Sequence, residues 1–154
     1  MFSEYKKHKT TVKDLYQRLK ELPDTCGIYI VEAPKGRKIE FLSSTTAPET
    51  YKGKNLLYDS KTLQEKFNNG DKEILYIGKT ICRQGLRNRL GSYIKYGYGH
   101  EVAHRGGRAL WQIKNSRDLT VYYYECEDAN GLEQKLLKEY KNKYNVLPVA
   151  NHRI

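Results

Sequence analysis

A single carboxylate lies on the apolar face of the last predicted helix. At about 100° per residue, Glu133 falls within the arc formed by Leu132, Leu136, Leu137, Tyr140 and Tyr144. A carboxylate on a buried stripe is costly unless a cation, a metal ion or hydrogen bonds compensate its charge. Two interpretations stay open. Glu133 is a functional acid or the second member of a capping box with Asn130, and the two roles are not exclusive.

Cations and tyrosines follow the apolar run Ile74–Gly78. Lys79 comes directly after this run, while Arg89 and Tyr93 lie four residues apart at the edge of a helical apolar face. Arg89 could be a solvated helix residue, or it could present its guanidinium to a phosphate. Neighbouring cations also favour the phenolate form of tyrosine, whose unperturbed pKa of about 10 is too high for a base at neutral pH. These residue types are typical of phosphodiester hydrolysis, with an acid that binds a metal and a tyrosine that activates water.

A different metal chemistry is suggested by His100-Glu101-Val102-Ala103-His104, which matches the zinc-protease pattern HExxH. That pattern needs a helix, so that two histidines one turn apart bind zinc, and it needs a third ligand. Four glycines flank the motif, at Gly97, Gly99, Gly106 and Gly107. Glycines disfavour a helix here, so the motif is interpreted as a chance match within a basic loop.

The charge balance favours a polyanionic partner. The chain of 154 residues has 28 Lys and Arg against 18 Asp and Glu, a net charge of +10. Clustered cations bind nucleic acids through counterion release. The three cysteines, Cys26, Cys82 and Cys126, form no CxxC pair. They are predicted to be reduced, which indicates the cytoplasm. The sequence shows neither an apolar signal core nor a run of transmembrane length.

The pattern of apolar residues and breakers predicts an α+β fold in one domain, residues 1–154. A polar segment, residues 32–72, separates the first two strands and contains one short helix near Thr62–Phe67. The N-terminal segment, residues 1–25, is predicted to be helical, with a cap at Thr11 and a stop at Pro23. The other predicted elements are strands Cys26–Val31, Ile74–Gly78 and Leu119–Glu125 and helices Leu86–Tyr96 and Leu132–Tyr144.

Two tripeptides in the first two strands, Gly27-Ile28-Tyr29 and Tyr76-Ile77-Gly78, form an ordered pair. Together with the basic helix and Glu133 that follow, they resemble the GIY-YIG nuclease family, from about Cys26 onward. The resemblance implies a three-stranded mixed or antiparallel sheet flanked by helices. It implies a metal-dependent endonuclease that hydrolyses DNA, with RNA not excluded, and uses Mg²⁺ or Mn²⁺. In that family the two tripeptides are about ten residues apart, whereas here residues 30–75 lie between them, as a long insertion.

The resemblance also implies roles for particular residues. Glu133 would hold the metal ion, and Arg89 and Lys79 would stabilise the charge on the phosphate. Tyr29 or Tyr76 would be the base, and Tyr93 would orient the phosphate. A late asparagine, Asn151 or else Asn145, would contact the metal shell or the phosphate.

Further residues are expected to bind nucleic acid. They are Arg87, His104, Arg105 and Arg108. The alternative function is a basic nucleic-acid-binding module without catalysis, which would share the positive charge and the many tyrosines. Glu133 separates the two hypotheses, because a binding module gains nothing from an acid that faces a phosphate.

Overall fold

The computed structural model describes residues 1–102, 104 and 106–154. Its strands are β1 (His8–Thr11), β2 (Gly27–Glu32), β3 (Thr50–Tyr51), β4 (Lys54–Asn55), β5 (Ile74–Thr80) and β6 (Thr120–Glu125). Its α-helices are α1 (Val12–Gln17), α2 (Ser60–Asn69), α3 (Gly85–Gly97) and α4 (Ala129–Tyr144). Within the described residues, none of the helices has the length and apolar character needed to cross a membrane.

The main sheet has four strands in the order β1-β6-β2-β5, and every pair of neighbours is antiparallel. The three predicted strands form its centre and one edge. The prediction of three strands missed β1, whose sequence His8-Lys9-Thr10-Thr11 is polar and half exposed. The N-terminal segment is therefore not helical throughout. Helix α1 begins after β1, where the Thr11 hydroxyl accepts a hydrogen bond from the amide of Asp14 at 3.2 Å, the predicted cap.

Both faces of the sheet are covered, which explains why all six residues of β2 are buried. On one face Tyr29, Val31 and Leu75 pack with α1, α3 and the segment around Trp111. On the other face Ile28, Ile30 and Ile77 pack against α4. Alternate side chains of a strand point to opposite faces, so this arrangement sends Tyr29 towards α3.

The polar segment between β2 and β5 is ordered around one glutamine. The side chain of Gln112 accepts a hydrogen bond from the Tyr58 amide at 2.8 Å and donates to the carbonyls of Leu42 and Tyr58 at 3.0 Å each. The segment contains the β3–β4 hairpin and α2, and α2 is the short helix predicted near Thr62–Phe67. One buried side chain thus fixes two separate parts of the segment to residues 108–112.

The prediction of reduced cysteines is wrong for two of the three. Cys26 and Cys82 form a disulfide, and Cys126 is a free thiol. The bond joins the residue before β2 to the loop between β5 and α3. The two cysteines are 56 positions apart in sequence, and they meet because β2 pairs with β5. The basis for predicting a cytoplasmic location is thereby removed.

Candidate functional site

Three tyrosines from different elements meet on the α3 side of the sheet. Tyr29 comes from β2, Tyr76 from β5 and Tyr93 from α3, and their ring centroids lie 5.3 to 6.0 Å apart. Tyr29 and Tyr93 are almost fully buried, while Tyr76 retains 8% of its surface. These three residues are called the tyrosine cluster below. The pairing of β2 with β5 brings Tyr29 and Tyr76 together. Tyr29 lies opposite Gly78, and Gly78 follows Tyr76 by two residues.

Two glycines allow the tyrosine rings to lie where they do. A Cβ on Gly78 would lie 2.4 Å from the ring of Tyr29, and a Cβ on Gly107 would lie 2.7 Å from the ring of Tyr76. Both distances are far below van der Waals contact. Gly107 also has a φ of 72°, in the left-handed region that favours glycine. The last residue of the second tripeptide is therefore glycine because the tyrosine of the first covers it.

Burial keeps the tyrosines protonated. It raises the pKa of Tyr76 to about 12, and the charge of Glu133 raises it further. The guanidinium of Arg89 and a hydrogen bond from Tyr29 act in the opposite direction on Tyr76. Burial raises the pKa of Tyr29 and Tyr93 well above the usual value of 10.0. Tyr76 is thus the most exposed phenol of the cluster and the one whose phenolate Tyr29 can stabilise.

A second group of side chains, called the charged rim below, consists of Lys79, Arg89 and Glu133. The ammonium of Lys79 lies 3.8 Å from Oε1 of Glu133, and the two side chains are 34% and 15% exposed. Lys79 also donates a hydrogen bond to the side-chain oxygen of Asn130. The charge of Arg89 acts on Tyr29 and Tyr76, which brings the charged rim next to the tyrosine cluster.

The start of α4 tests the capping-box interpretation of Glu133. The N-cap of α4 is Asp128, whose carboxylate accepts a hydrogen bond from the Gly131 amide at 3.0 Å. The capping-box interpretation of Asn130 and Glu133 is therefore wrong, since Asn130 lies inside the helix and binds Lys79. Burial raises the pKa of Glu133, and Lys79 partly offsets the rise. Glu133 is a half-buried carboxylate that a further cation would stabilise.

The glycine-rich loop closes over the tyrosine cluster. The hydroxyl of Tyr93 donates to the Gly107 carbonyl at 2.9 Å, and Nε2 of His104 lies 3.1 Å from the Gly106 carbonyl. The ring of His104 packs on Tyr93 with centroids 4.8 Å apart. His104 is 1% exposed, and burial, with Arg89, lowers its pKa to about 3. His104 is thus a buried, neutral support of the loop. Its expected contact with DNA stays a prediction.

The other three basic residues expected to bind nucleic acid have separate environments. Arg87 donates to the Leu22 carbonyl at 2.8 Å and pairs with Asp24 at 3.0 Å, which fixes α3 to the segment before β2. Arg108 donates to the Leu56 carbonyl at 3.0 Å and lies over the ring of Tyr58. Both guanidinium groups are therefore engaged within the chain. Arg105 lies outside the described residues.

Neither candidate asparagine reaches the charged rim. The side chain of Asn151 accepts from the Ile77 amide at 3.0 Å and donates to the Ile77 carbonyl at 2.9 Å, so both ends of its amide are used by β5. Asn145 ends α4, twelve residues after Glu133, and helical geometry puts it about 18 Å away along the axis. Asn145 therefore lies far from Glu133, and its expected contact with a metal or phosphate stays a prediction. For Asn151 the structure gives a structural role beside Tyr76.

The zinc-protease pattern does not form a metal site. His100, Glu101, Val102 and His104 have no helical conformation, and α3 ends at Gly97. Nε2 of His100 lies 2.9 Å from the Tyr16 hydroxyl, whereas His104 points into the tyrosine cluster. Across residues 1–102, 104 and 106–154, no group of three or more His, Cys, Asp or Glu side chains is arranged to hold a metal ion.

A metal at this site would therefore depend mainly on Glu133. One carboxylate with solvent access suits Mg²⁺, which keeps several water ligands and shares the rest of its shell with substrate phosphates. The raised pKa of Glu133 fits such a role, because a cation would relieve the cost of burying its charge.

Sequence reasoning missed two residues that shape the site. Asn130 binds Lys79 and was interpreted only as a helix cap. Gly107 was assigned to a loop, although it makes room for Tyr76. The glycine pair Gly106-Gly107 after a helix was the available signal, since a glycine can mark a close approach of the backbone to another group.

Comparison with known proteins agrees with this geometry. The family described as the UvrC-like GIY-YIG domain matches residues 65–146, just over half of the chain. The chain belongs to the GIY-YIG family. The match contains Tyr76, Lys79, Arg89, Tyr93 and Glu133. The first tripeptide, which contributes Tyr29, lies before it and is joined to the site by the pairing of β2 with β5.

A curated relative supports the same assignment over a limited length. The chain is 33% identical over 92 residues to the UvrABC system protein C of Nautilia profundicola, strain ATCC BAA-1463 / DSM 18972 / AmH. This similarity covers 59% of the chain but only 14% of that protein. Solved structures give no significant match.

Proposed function

We propose that the chain is a metal-dependent endonuclease that hydrolyses phosphodiester bonds in DNA, in one domain formed by residues 1–154. The observation that carries the proposal is that charges of the charged rim act on the tyrosine cluster. Lys79 lies 3.8 Å from Glu133, and the charges of Arg89 and Glu133 both act on Tyr76. An acid, two cations and a phenol at one place suit a phosphodiester better than they suit a binding surface alone.

In the proposed mechanism Tyr76 is the general base. It is the least buried phenol of the tyrosine cluster, and Tyr29 supports it as a hydrogen-bond donor. Tyr76 takes the proton of the attacking water, and the phenolate that would result is stabilised by Arg89 and Tyr29. Tyr29 thus serves as a positioning residue, since only 1% of its surface is exposed.

The charged rim binds the phosphate. Arg89 and Lys79 neutralise the charge that develops on the phosphate oxygens as the water attacks. Glu133 would hold Mg²⁺ or Mn²⁺, which supplies Lewis-acid stabilisation to the phosphate and leaving oxygen when bound. Tyr93 holds the loop through the Gly107 carbonyl and fixes the ring of Tyr76 from the other side.

The test is the nicking of supercoiled plasmid DNA by the purified protein and by Glu133→Gln, with Mg²⁺, Mn²⁺ or EDTA. We expect metal-dependent nicking that falls by at least about 100-fold in Glu133→Gln. The matched control is Glu139→Gln, an exposed carboxylate on the same helix, which should nick like the original protein. Equal nicking by Glu133→Gln would overturn the metal assignment. A gel shift without nicking by any variant would favour the binding-module alternative.

A further inference from the structure

The β3–β4 hairpin presents an aromatic ring and two lysines to solvent. Tyr51 pairs with Lys54 across the hairpin, and the two turn residues, Lys52 and Gly53, have φ of 50° and 78°. Positive φ at both central residues is the signature of a tight two-residue hairpin turn. Residues 51–55 are all exposed, and Tyr51 retains 40% of its surface. The ammonium of Lys52 lies 5.3 Å from the centre of the Tyr51 ring.

The base of the hairpin is fixed to the loop that covers the tyrosine cluster. The Leu56 amide donates to the Glu49 carbonyl at 2.8 Å, which closes the hairpin. Arg108 donates to the Leu56 carbonyl at 3.0 Å, and the residue before it, Gly107, lies against Tyr76. The hairpin is therefore held in a defined position relative to the candidate active site.

A cleft of about 460 Å³ opens between the hairpin and the segment after α3. Among the residues that line it are Tyr51, Lys52, Leu56, Tyr96, Glu101 and Val102. Its volume is within the range of small-ligand sites. The cleft is linked to the candidate active site by a short segment: Val102 lines the cleft, and the ring of His104, two residues later, packs on Tyr93.

The chemistry of the lining differs from that of a simple phosphate-binding surface. Lysines and an exposed tyrosine suit a nucleic acid strand, since bases stack on aromatic rings and lysines bind the adjoining phosphates. A carboxylate in a cleft for phosphate would be repulsive. Glu101 is therefore informative, because a carboxylate accepts hydrogen bonds from the exocyclic amino group of a base.

We propose that this cleft binds one unpaired nucleobase of the DNA substrate, close to the bond that is cut. The base stacks on Tyr51, its amino group donates to Glu101, and Lys52 and Lys54 bind the flanking phosphates. A base in a paired duplex cannot enter a cleft while stacked between its neighbours, so the cleft selects bulged, flipped or single-stranded positions. The inference rests on the proposed function for its substrate and adds a preference for DNA with an unpaired base.

The first test measures binding by the full chain that carries Glu133→Gln, so that cleavage is suppressed. The probes are two 20-base-pair duplexes, one fully paired and one with a single bulged adenine or its fluorescent analogue 2-aminopurine. We expect quenching of the bulged 2-aminopurine and about tenfold tighter binding of the bulged duplex. Adding Tyr51→Ala should bring the ratio of the two affinities to about 1, whereas Tyr51→Phe, which keeps the ring, should retain it. Equal affinities before any change at Tyr51, or a ratio untouched by Tyr51→Ala, would overturn the proposal.

A second test addresses Glu101. Replacing the bulged adenine by unsubstituted purine removes the exocyclic amino group without adding an N1–H donor, and we expect several-fold weaker binding of this probe. Glu101→Ala should bind the two bulged probes equally. Discrimination that persists in Glu101→Ala would contradict the role of Glu101.

These binding results separate the two proposals. Quenching by a protein that nicks no DNA would leave the cleft in place and overturn the proposed endonuclease. Metal-dependent nicking together with equal binding of bulged and paired duplexes would support the endonuclease and overturn the proposed base-binding cleft. Melting temperatures of each variant close to that of the parent chain exclude unfolding as the cause.

Discussion

The tyrosine cluster and the charged rim are neighbours with opposite physical characters. The tyrosines are closed off, close together and protonated, with the pKa of each raised by burial. The residues of the charged rim are partly exposed, and the ammonium of Lys79 is 3.8 Å from Oε1 of Glu133. The tyrosine cluster is fixed by packing, whereas the charged rim is held by electrostatic contacts with long side chains.

In the proposed mechanism the tyrosine cluster supplies the base and the charged rim supplies the charges. A buried phenol is positioned well but is a poor base, since its proton is held tightly. A positive charge nearby lowers the pKa of a phenol. In the charged rim, Arg89 has this effect on both Tyr76 and Tyr29. Replacing one residue at a time, first in the charged rim and then in the tyrosine cluster, tests this difference.

The largest effect on activity is expected for Arg89→Ala. Arg87→Ala, on the same helix, is its control. Loss of Arg89 removes the charge that acts on both phenols and on the phosphate, so kcat/KM for plasmid nicking should fall about 1,000-fold. Arg87 pairs with Asp24 and Leu22, so Arg87→Ala should lower the melting temperature and change kcat/KM only slightly. Similar losses of activity in the two variants would show that Arg89 has no special role.

Tyr76→Phe tests the tyrosine cluster. We expect nicking to fall about 100-fold, the usual contribution of a general base, and less for Tyr29→Phe. Because the pKa of Tyr76 is about 12, the rate of the original protein should rise about tenfold per pH unit between pH 7 and pH 9. Tyr76→Phe should lose this slope. A slope that survives in the variant would assign the titration to another group.

A smaller effect concerns stability and His104, the neutral ring beneath the loop. Its pKa of about 3 in the folded chain lies below its ordinary value of 6.5, so the unfolded chain binds more protons between these values. Stability should therefore fall with decreasing pH, by about 2 kcal/mol between pH 6.5 and pH 5 from this residue. Urea unfolding at pH 7, 6 and 5 should show a shallower decline in His104→Gln. Parallel declines in both proteins would show that His104 is not the cause.

The smallest effect is on stability, and it distinguishes backbone strain at a glycine from crowding of the tyrosine cluster. Gly107 and Gly36 have φ of 72° and 73°, but only Gly107 faces a ring, since a Cβ on Gly36 would meet nothing within 4 Å. Both alanine variants bear the left-handed strain, and Gly107→Ala should cost about 1 kcal/mol more because it displaces Tyr76. Thermal unfolding measures the difference. Equal costs would mean that the loop moves freely away from the ring.

Much of the fold could be predicted because its central elements have strong apolar patterns. Strands β2, β5 and β6 and helices α3 and α4 lie within a few residues of their predicted positions. Strand β1 could not be predicted in this way, because an edge strand of four polar residues has no buried face to impose alternation. The disulfide also escaped prediction, since its pairing depends on the register of β2 and β5 rather than on the spacing of Cys26 and Cys82.

Candidate site residues on helices could be predicted, because apolar periodicity shows the face on which they lie. Residues in loops could not be placed in this way. Glu133 and Arg89 were singled out from helical faces, and the structure brings both towards Tyr76. His104 lies in a segment without periodicity, so its burial could not be inferred. The position of Asn151 depends on hydrogen bonds to a distant strand, which a sequence does not reveal.

The bonds of Asn151 have a consequence for self-association. Strand β5 is an edge of the sheet, and a bare edge is a template on which a second copy can add a strand. The Ala150 amide donates to the Leu75 carbonyl, and Asn151 occupies both polar groups of Ile77. One short segment thus binds backbone groups of Leu75 and Ile77, the two neighbours of Tyr76 in β5. Detachment of this segment would uncover that edge beside the candidate active site, as a template on which a second copy can add a strand.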